Sequence, residues 1–367
     1  MSTDINASPF QKGTIAKLDL FTLYLNDWLP VFYANGRFKE VNIIDFFSGS
    51  GCDSSGRAGS PLIILKTLEN HLPKITKANL NINVILNEKN TLKYEKLKAN
   101  VDSFNFLKNS NIHVHVHNES FSSLFNAIEE SLRGKPNLIF IDQYGIKEVT
   151  TGIFRKLCSL ETTDFMFFIA SGYIKRFYNH KNYKKYIGWM GNIDFNSIKP
   201  SDIHRVIAEQ YRKLASGSLW KYVIPFSIKK DLNIFGLIFC SNHILAADKF
   251  LSATWKINPE NGEANYDIND DLIKDQISFD FIEKTALKKL DQFEVDVLNL
   301  IKSKGSVTNK ELYEYSINRG ILPSMCAEIL DKAKKEHKLE HFSRPKINYK
   351  QYSDNTKNSI VDFKYKI

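Results

Sequence analysis

The sequence predicts an α/β fold with a doubly wound, mostly parallel seven-stranded sheet that ends in an antiparallel hairpin. Three observations lead to this prediction. Short apolar runs alternate with amphipathic segments between Val41 and Leu214. Two strand-like runs then follow each other directly, which a purely parallel sheet does not allow. A polar stretch, Asn258–Asp271, separates this region from three further helical patterns, so we expect a second and smaller C-terminal domain.

The first two elements are a long helix and a buried strand. Apolar residues recur at helical spacing over Thr14–Tyr33, which predicts an amphipathic helix that ends near Gly36. The apolar run Val41–Phe47 is typical of a strand that is buried on both faces. A second helix should begin after the polar, glycine-rich stretch that follows, with Ser60 as its N-cap and Pro61 in the first helical position.

The same alternation of strand and helix continues along the chain. The predicted strands are 82–86, 112–117, 138–141 and 165–170, and the predicted helices between them are 90–101, 122–132 and 149–160. Strands that alternate steadily with helices form a parallel sheet that is covered on both faces.

The last two predicted strands indicate the type of fold more clearly than the alternation of strand and helix before them. After a helix at Asp202–Leu214, the strands Leu219–Ser227 and Asn233–Cys240 are joined by a short turn and must form an antiparallel hairpin. Five parallel strands followed by a hairpin are typical of the S-adenosylmethionine-dependent methyltransferase sheet. A dinucleotide-binding Rossmann sheet would continue with another crossover helix.

The C-terminal region predicts a winged helix. Its elements are three helices at 291–303, 308–319 and 323–337, a short strand at 305–307, and a wing at 338–349. The alternative is a three-helix dimerisation cap. We therefore divide the chain into a Rossmann domain with its N-terminal helix (1–275), a winged-helix domain (276–350) and a tail (351–367).

Composition excludes several classes of protein. Of the 367 residues, 43% are hydrophobic and 25% are charged, as in an ordinary globular protein. The four cysteines are far apart and form no CxxC pair, so we predict no metal site and expect a reducing, cytoplasmic location. No signal-peptide pattern is present and the apolar runs are too short to span a membrane, so no membrane association is expected. The net charge of +9 is only a weak indication of an anionic partner.

A cofactor site is predicted at the carboxyl ends of the first strands. The first strand leads into Gly49 and Gly51, which allow close approach of a ligand and positive φ angles. Glu88 follows the second strand, where a carboxylate can accept hydrogen bonds from both ribose hydroxyls. Asn118 follows the third strand and could flank an adenine ring. The predicted cofactor-binding residues are Asp45, Phe47, Gly49, Gly51, Ser60, Glu88 and Asn118.

The segments Val41–Gly51, Arg57–Leu62, Phe140–Gly145 and Ser241–His243 together resemble the three-Cys-motif partner proteins. The resemblance extends over residues 14–345. It implies a methyltransferase fold, S-adenosylmethionine as the cofactor, and a radical-SAM-like protein as a partner. Such proteins often occur in phage or mobile-element contexts. The family takes its name from a genomic neighbour that carries the cysteines, so the lack of a cysteine cluster here is expected.

The catalytic candidates are Asp142 and Tyr144, which follow the fourth strand. The segment is similar to the Asp/Asn-Pro-Pro-Tyr/Phe motif of amino-methyltransferases. In those enzymes the acid or amide accepts hydrogen bonds from an exocyclic amine, and the aromatic ring stacks on an extruded base. The three-Cys-motif partner pattern has proline where this chain has Gln143, and we expect glutamine not to stiffen the loop as proline does. The alternative is that Asp142 and Tyr144 only shape the rim of the pocket.

Nucleic acid is the predicted substrate because cations and aromatic residues alternate after the fifth strand. No acidic residue occurs between Asp164 and Asp194. Cations can neutralise phosphates, and aromatic rings can stack on bases. The residues expected to contact nucleic acid are Lys175, Arg176, Tyr178, Lys181, Tyr183, Lys184, Lys185 and Trp189. The alternative is a solvated amphipathic helix whose tyrosines pack inward.

Two further sets of residues are candidates for binding. Lysines at the end of the third C-terminal helix could meet phosphates, although a run of charge is often a solvated face; they are Lys332, Lys334, Lys335 and Lys338. His113, His115 and His117 share one strand face and could hold a metal, but no carboxylate or cysteine partner is evident, so an exposed strand face is favoured.

The sequence thus predicts an S-adenosylmethionine-dependent methyltransferase that acts on DNA or RNA, on an exocyclic base amine. The alternatives are a non-catalytic nucleic-acid-binding module and a subunit that works only with the three-Cys-motif partner.

Overall fold

The computed structural model describes residues 8–269 and 287–366, apart from residues 144, 192, 218–221, 232, 355 and 357–359 and the side chain of residue 109. The chain divides into two compact units, Met1–Ala246 and Ala247–Ile367. The predicted boundary at 275/276 lies outside the described residues and stays a prediction. Asp248 and Trp255 of the C-terminal unit hydrogen-bond to Tyr313 and Gly320 of the same unit, at 2.7 and 3.0 Å.

The N-terminal unit contains the predicted sheet. Its strands are β1 (Glu40–Asp45), β2 (Asn81–Asn87), β3 (Ile112–His117), β4 (Asn137–Ile141), β5 (Thr163–Ile169), β6 (Tyr222–Lys230) and β7 (Asn233–Ser241). They lie in the order β3-β2-β1-β4-β5-β7-β6, and only β7 is antiparallel to its neighbours. This arrangement confirms the predicted mostly parallel, methyltransferase-type fold. The order reverses between β1 and β4, where ligands bind in open α/β sheets.

The helices of this unit cover the sheet. They are α1 (Lys12–Asn35), α2 (Ser60–Lys77), α3 (Thr91–Asp102), α4 (Phe121–Ile128), α5 (Thr151–Cys158), α6 (Ser171–Phe177), α7 (Lys181–Ile187), α8 (Ile203–Ala215) and α9 (Ile244–Ile257), the last continuing into the C-terminal unit. Helix α1 ends at Gly36, whose φ of 63° lies in the left-handed region that favours glycine. Buried Asp164 accepts hydrogen bonds from Tyr24 Oη and Trp28 Nε1 of α1, both at 2.9 Å, which holds α1 on the sheet.

The start of α2 differs from the prediction. Ser60 is the first helical residue, and the N-cap position is taken by Gly59. The Ser60 hydroxyl donates to Asp45 Oδ2 at 2.7 Å instead of capping the helix. The buried carboxylate at the end of β1 needs a hydrogen-bond donor, and it competes successfully for this hydroxyl.

The β6–β7 hairpin is longer than predicted. We expected a turn over Ile228–Leu232, but β6 extends to Lys230, which pairs with Asn233. The strands extend because two glycines let other elements approach the hairpin closely. A Cβ at Gly13 would lie 2.9 Å from Lys230 Cβ, and one at Gly172 would lie 2.8 Å from the Ile234 carbonyl oxygen. The hairpin end is therefore packed against α1 and α6.

The C-terminal unit has the predicted three helices. Beyond its part of α9 it contains α10 (Lys289–Lys304), β8 (Ser306–Thr308), α11 (Asn309–Asn318), α12 (Pro323–Lys335), α13 (Tyr349–Ser353) and β9 (Asp362–Lys364). Thr308 and Glu311 form a capping box at the start of α11.

The wing is built differently from the prediction. Residues 340–348 form no strand, and β8 pairs instead with β9, which belongs to the segment 351–367 that we had taken as a tail. An isolated bridge joins Leu339 to Tyr365. The reason is apolar burial: Phe363 is fully buried and packs edge-on against Phe342 at 5.0 Å.

Candidate functional site

A cavity of about 390 Å³ lies at the carboxyl ends of the strands in the N-terminal unit. Its wall is formed by the start of α1, the loops that follow β1, β2, β4 and β5, and the β6–β7 hairpin. The cavity has the size of a small-molecule site and lies where the strand order reverses. Four of the seven predicted cofactor residues line it, namely Phe47, Gly49, Ser60 and Glu88.

Glu88 and the glycine loop are directly connected. The Gly49 amide donates to Glu88 Oε2 at 3.0 Å, and the Asn90 amide donates to Oε1 at 2.7 Å. Gly49 has a φ of 61°, which explains why glycine is needed at this turn. A carboxylate offers about four acceptor positions, so Glu88 retains capacity to bind two hydroxyl groups.

Three of the predicted cofactor residues support the site without lining the cavity. The carboxylate of Asp45 is buried beneath the loop and accepts hydrogen bonds from the Phe47 amide and the Ser60 hydroxyl. Burial raises the pKa of Asp45 to about 7. The Gly51 carbonyl accepts from the Gly59 amide at 2.7 Å, which closes the loop. Asn118 donates to the carbonyls of Glu88 and Lys89 at 2.7 and 3.0 Å.

Asp142 lies at the other end of the same cavity, where its Oδ2 forms an ion pair with the ammonium of Lys17. Lys17 is buried on α1, and its ammonium also lies 4.8 Å above the ring of Phe168. Sequence reasoning missed Lys17, although one signal was available. It lies on the apolar face of α1, four residues before buried Phe21. Tyr144, the second catalytic candidate, lies outside the described residues.

Gln143 stiffens the loop, contrary to our expectation. Its side chain is buried, and Nε2 donates to the Phe168 carbonyl at 2.9 Å. Its Oε1 accepts from the amides of Glu148 and Val149 at 2.9 and 3.3 Å. These three hydrogen bonds join the loop after β4 to the end of β5 and to the segment before α5. A buried amide thus holds this loop by hydrogen bonding where proline would hold it by its ring.

An aromatic wall adjoins Asp142, and sequence reasoning did not find it. The rings of Phe168 and Phe235 are stacked with centroids 5.1 Å apart, and Tyr173 meets Phe235 edge-on at 6.1 Å. All three residues line the cavity. The apolar pattern of β5 could not identify Phe168, because every residue from Phe165 to Ile169 is apolar, whichever face of the sheet it lies on.

The cation–aromatic segment after β5 folds into α6, α7 and a short 3₁₀ turn at Gly188–Met190. Four of its predicted cations are exposed and form no ion pair within the described parts of the chain; they are Arg176, Lys181, Lys184 and Lys185. Lys175 differs from them because its ammonium donates to the carbonyls of Asn196 and Ile198.

The aromatic residues of this segment are only partly available. Tyr178 hydrogen-bonds to Asp194 at 3.1 Å and packs on Phe195. Tyr183 packs on exposed Phe177 with the ring centroids 5.3 Å apart. Trp189 lies edge-on to Tyr211 at 5.0 Å. The surface therefore combines free cations with half-buried rings. It is intermediate between a nucleic-acid-binding surface with exposed rings and a solvated amphipathic helix whose tyrosines pack inward.

The lysines at the end of α12 lie in a different environment. Lys332 pairs with Glu294 at 2.9 Å, and Lys338 pairs with Glu336 at 2.6 Å. Lys334 donates to the Phe342 carbonyl and lies over its ring. Most of the lysines that we considered for phosphate contact in the C-terminal unit are thus held by other groups of the same unit.

The three histidines of β3 differ in exposure. His113 and His115 are exposed on β3, at the edge of the sheet, and His117 is half-buried. Among the residues that the structure describes, no three His, Cys, Asp or Glu side chains are grouped so that they could hold a metal ion. No helix in the described part of the chain is long and apolar enough to cross a membrane.

Comparisons with known proteins bear first on the C-terminal unit. Residues 265–346 match the family model of the GMT-like wHTH domain. This match agrees with the predicted winged helix and disfavours the three-helix cap. No curated protein shows significant similarity to the chain.

Among solved structures, the chain is similar to Trm1 from Pyrococcus horikoshii in complex with S-adenosyl-L-methionine. The identity is 12%, the TM-score is 0.38, and the match covers 66% of this chain and 59% of that one. For the B. subtilis M1A22 tRNA methyltransferase TrmK the identity is 11%, the coverage 77% and 86%, and the TM-score 0.33. For the N-terminal domain of human METTL16 in complex with SAH, the identity is 12% and the TM-score is 0.30. That match covers 60% of this chain and 70% of the other. At these TM-scores the fold of the chain rests on its own strand order.

Proposed function

We propose that this protein is an S-adenosylmethionine-dependent methyltransferase that acts on an exocyclic amine of a nucleic-acid base. The observation that carries the proposal is the continuity of one cavity. It joins the glycine loop and Glu88 to Asp142 and the aromatic wall. A methyl donor and its acceptor must meet in a single enclosed space, because the transfer depends mainly on positioning.

The residues present fit S-adenosylmethionine. Glu88 would accept the ribose hydroxyls, and the loop at Phe47–Gly49 would lie against the cofactor. The cofactor would supply a methyl group that is activated by a positively charged sulfur. The buried carboxylate of Asp45 would hold the loop in shape from beneath, through its bonds to Phe47 and Ser60.

Asp142 is placed to orient the acceptor. Its Oδ2 is held by Lys17, and its Oδ1 makes no hydrogen bond to the described residues. That oxygen can accept an N–H of the amine, aim the nitrogen lone pair, and take up the proton that the amine loses when it is methylated. Gln143 supports this role because it fixes the loop that carries Asp142.

A flat base is the acceptor that the wall favours. Phe168, Phe235 and Tyr173 present aromatic faces and edges beside Asp142, and extruded bases are read by stacking together with hydrogen bonds. The exposed cations of α6 and α7 follow β5 directly and can neutralise phosphates of the same strand.

The first test is calorimetric titration with S-adenosylmethionine, together with transfer of labelled methyl groups to oligonucleotides. We expect Glu88→Ala to abolish cofactor binding. Glu119→Ala is the matched control, because Glu119 follows the neighbouring strand but lies outside the cavity. Asp142→Ala, which removes the acceptor oxygen, should retain cofactor binding and lose methyl transfer by about 100-fold or more.

The outcomes separate the possible failures. If the wild type does not bind the cofactor, the proposed enzyme activity is wrong. If the cofactor binds but Asp142→Ala transfers methyl groups normally, then Asp142 does not orient the acceptor.

We also propose, on the sequence resemblance alone, that a three-Cys-motif radical-SAM-like protein is a partner. Co-expression followed by affinity purification tests this directly. Failure of the two proteins to co-purify would remove the partner without affecting the cofactor site.

A further inference from the structure

Lys230 is a half-buried cation at the end of the hairpin that lines the candidate site. Its ammonium forms no hydrogen bond or ion pair with any residue that the structure describes, and the pairing with Asn233 in the hairpin is made by the backbone. The two other lysines of the cavity wall differ from it. Lys17 is paired with Asp142, and Lys93 lies in the first turn of α3, on the segment that follows β2.

The surroundings of Lys230 disfavour a charge without a partner. Burial, followed by the nearby charge of Lys17, lowers the pKa of Lys230, while Asp231 and Asp142 act in the opposite direction. A partly desolvated ammonium is stabilised when an anion enters its environment, because the lost hydration is then replaced. The cavity thus offers a positive group that an anionic part of a ligand would complete.

The position of Lys230 indicates which anion. It is close enough to Asp142 and Lys17 to feel their charges, so it belongs to the acceptor end of the cavity. Its partner in the hairpin register is Asn233, which also lines the cavity, and the Oδ1 of Asn233 lies 3.5 Å from a guanidinium nitrogen of Arg176 on α6. Through Asn233, Lys230 is therefore connected to the exposed Arg176 of α6, which precedes the cations of α7 in the chain.

We propose that Lys230 binds a backbone phosphate of the single nucleic-acid strand whose base enters the cavity, an inference that rests on the proposed function. The phosphate would lie between the aromatic wall, where the base is held, and the cations of α6 and α7, where the strand continues. The substrate class is then an unpaired stretch of DNA or RNA. A duplex could not pass a base and its phosphate into the cavity without first opening.

The test compares Lys230→Gln with Lys229→Gln in the full-length protein. Glutamine keeps the Cβ, which packs against Gly13, and removes only the charge. Lys229 is the neighbouring lysine on the same strand, exposed and outside the cavity. Binding of fluorescent single-stranded oligonucleotides of about 20 nucleotides is measured from about 50 to 200 mM salt. Adenosine monophosphate is the second probe, and S-adenosylmethionine affinity is measured for each variant.

We expect Lys230→Gln to weaken oligonucleotide binding by about five- to tenfold. The slope of the logarithm of the binding constant against the logarithm of the salt concentration (the salt slope) should become smaller by roughly 0.7, the value for one phosphate of a single strand. Lys229→Gln should change neither quantity, and cofactor affinity should stay the same in both variants. Equal binding by Lys230→Gln and the wild type would overturn the inference, as would failure of the wild type to bind oligonucleotides.

Two other results would also overturn it and would identify a different anion. Loss of S-adenosylmethionine affinity in Lys230→Gln would assign Lys230 to the carboxylate of the cofactor. Lys230-dependent binding of adenosine monophosphate as tight as that of the oligonucleotide would assign it to a free nucleotide. Failure of the proposed function is distinguishable, because it would show as absent cofactor binding or methyl transfer while oligonucleotide binding remained dependent on Lys230.

Discussion

Two lysine clusters of this chain look alike in sequence and differ in structure. On α7, Lys181, Lys184 and Lys185 are exposed and form no ion pair in the described part of the chain. At the end of α12, Lys332 is paired with Glu294, and just beyond the helix Lys338 is paired with Glu336. All three lysines of the first cluster present free charge, whereas in the second cluster Lys335 alone is exposed without an ion pair to the described residues.

The difference teaches that a count of lysines does not measure the capacity to bind phosphate. Each cation that is already paired must lose its protein partner before it can contact nucleic acid, whereas a free cation only releases counterions. The stretch without acids between Asp164 and Asp194 is therefore the more informative sequence signal. A winged helix by itself does not establish that its third helix reads a duplex.

The largest expected effect is on the free cluster. Replacing Lys181, Lys184 and Lys185 together by glutamine should weaken binding of single-stranded oligonucleotides by about tenfold or more, and should reduce the salt slope by about two. The matched control is the triple variant of Lys332, Lys334 and Lys338, whose ammonium groups are held within their own unit, and it should keep the affinity within about twofold of the wild type. Fluorescence anisotropy at several salt concentrations measures both. Equal losses of affinity in the two triple variants would show that pairing within the protein does not decide which lysines bind nucleic acid.

A smaller effect concerns pH, because the two units also differ in their carboxylates. Burial raises the pKa of Asp45 to about 7 in the N-terminal unit, whereas the backbone hydrogen bond from Thr308 lowers the pKa of Glu311 in the C-terminal unit. A carboxyl group whose folded pKa is raised stabilises the fold at low pH and loses that contribution as the pH rises through the folded value. The free energy of unfolding should therefore fall as the pH rises from about 4, where Asp45 ionises in the unfolded chain, to about 7, where it ionises in the folded protein.

Urea unfolding of the full chain tests this expectation. Asp45→Asn should flatten the fall, because asparagine stays neutral. Glu311→Gln should follow the wild type above pH about 5, since a carboxyl group with a lowered pKa loses its contribution only at lower pH. A fall that is unchanged in Asp45→Asn would show that another group is responsible.

The smallest expected effect tests the paired cluster itself. Glu294→Gln should release Lys332 and raise oligonucleotide affinity by about twofold at most. Because Lys332 is 57% exposed, loss of the ion pair should leave the free energy of unfolding nearly unchanged. Anisotropy and urea unfolding measure the two quantities. An increase of tenfold or more would show that α12 is a nucleic-acid surface suppressed by its own acidic partner.

The sequence alone was sufficient for the order of the elements and the class of fold. The alternation of apolar runs and helical patterns predicted the parallel sheet, and the adjacent strands before residue 241 predicted the closing hairpin. It also predicted the glycine loop with Glu88, since both follow directly from the ends of strands. These features could be predicted because they are local: the spacing of apolar residues and the residue types of turns depend only on neighbouring positions in the chain.

Only the tertiary structure decided which side chains meet. It brought Lys17 of α1 to Asp142, 125 residues away, and it paired β9 of the presumed tail with β8. It also showed that Gln143 holds its loop through bonds to the end of β5 and to the segment before α5. Contacts of this kind depend on the packing of distant segments, and a pattern of period two or 3.6 residues carries no information about the partner across the core.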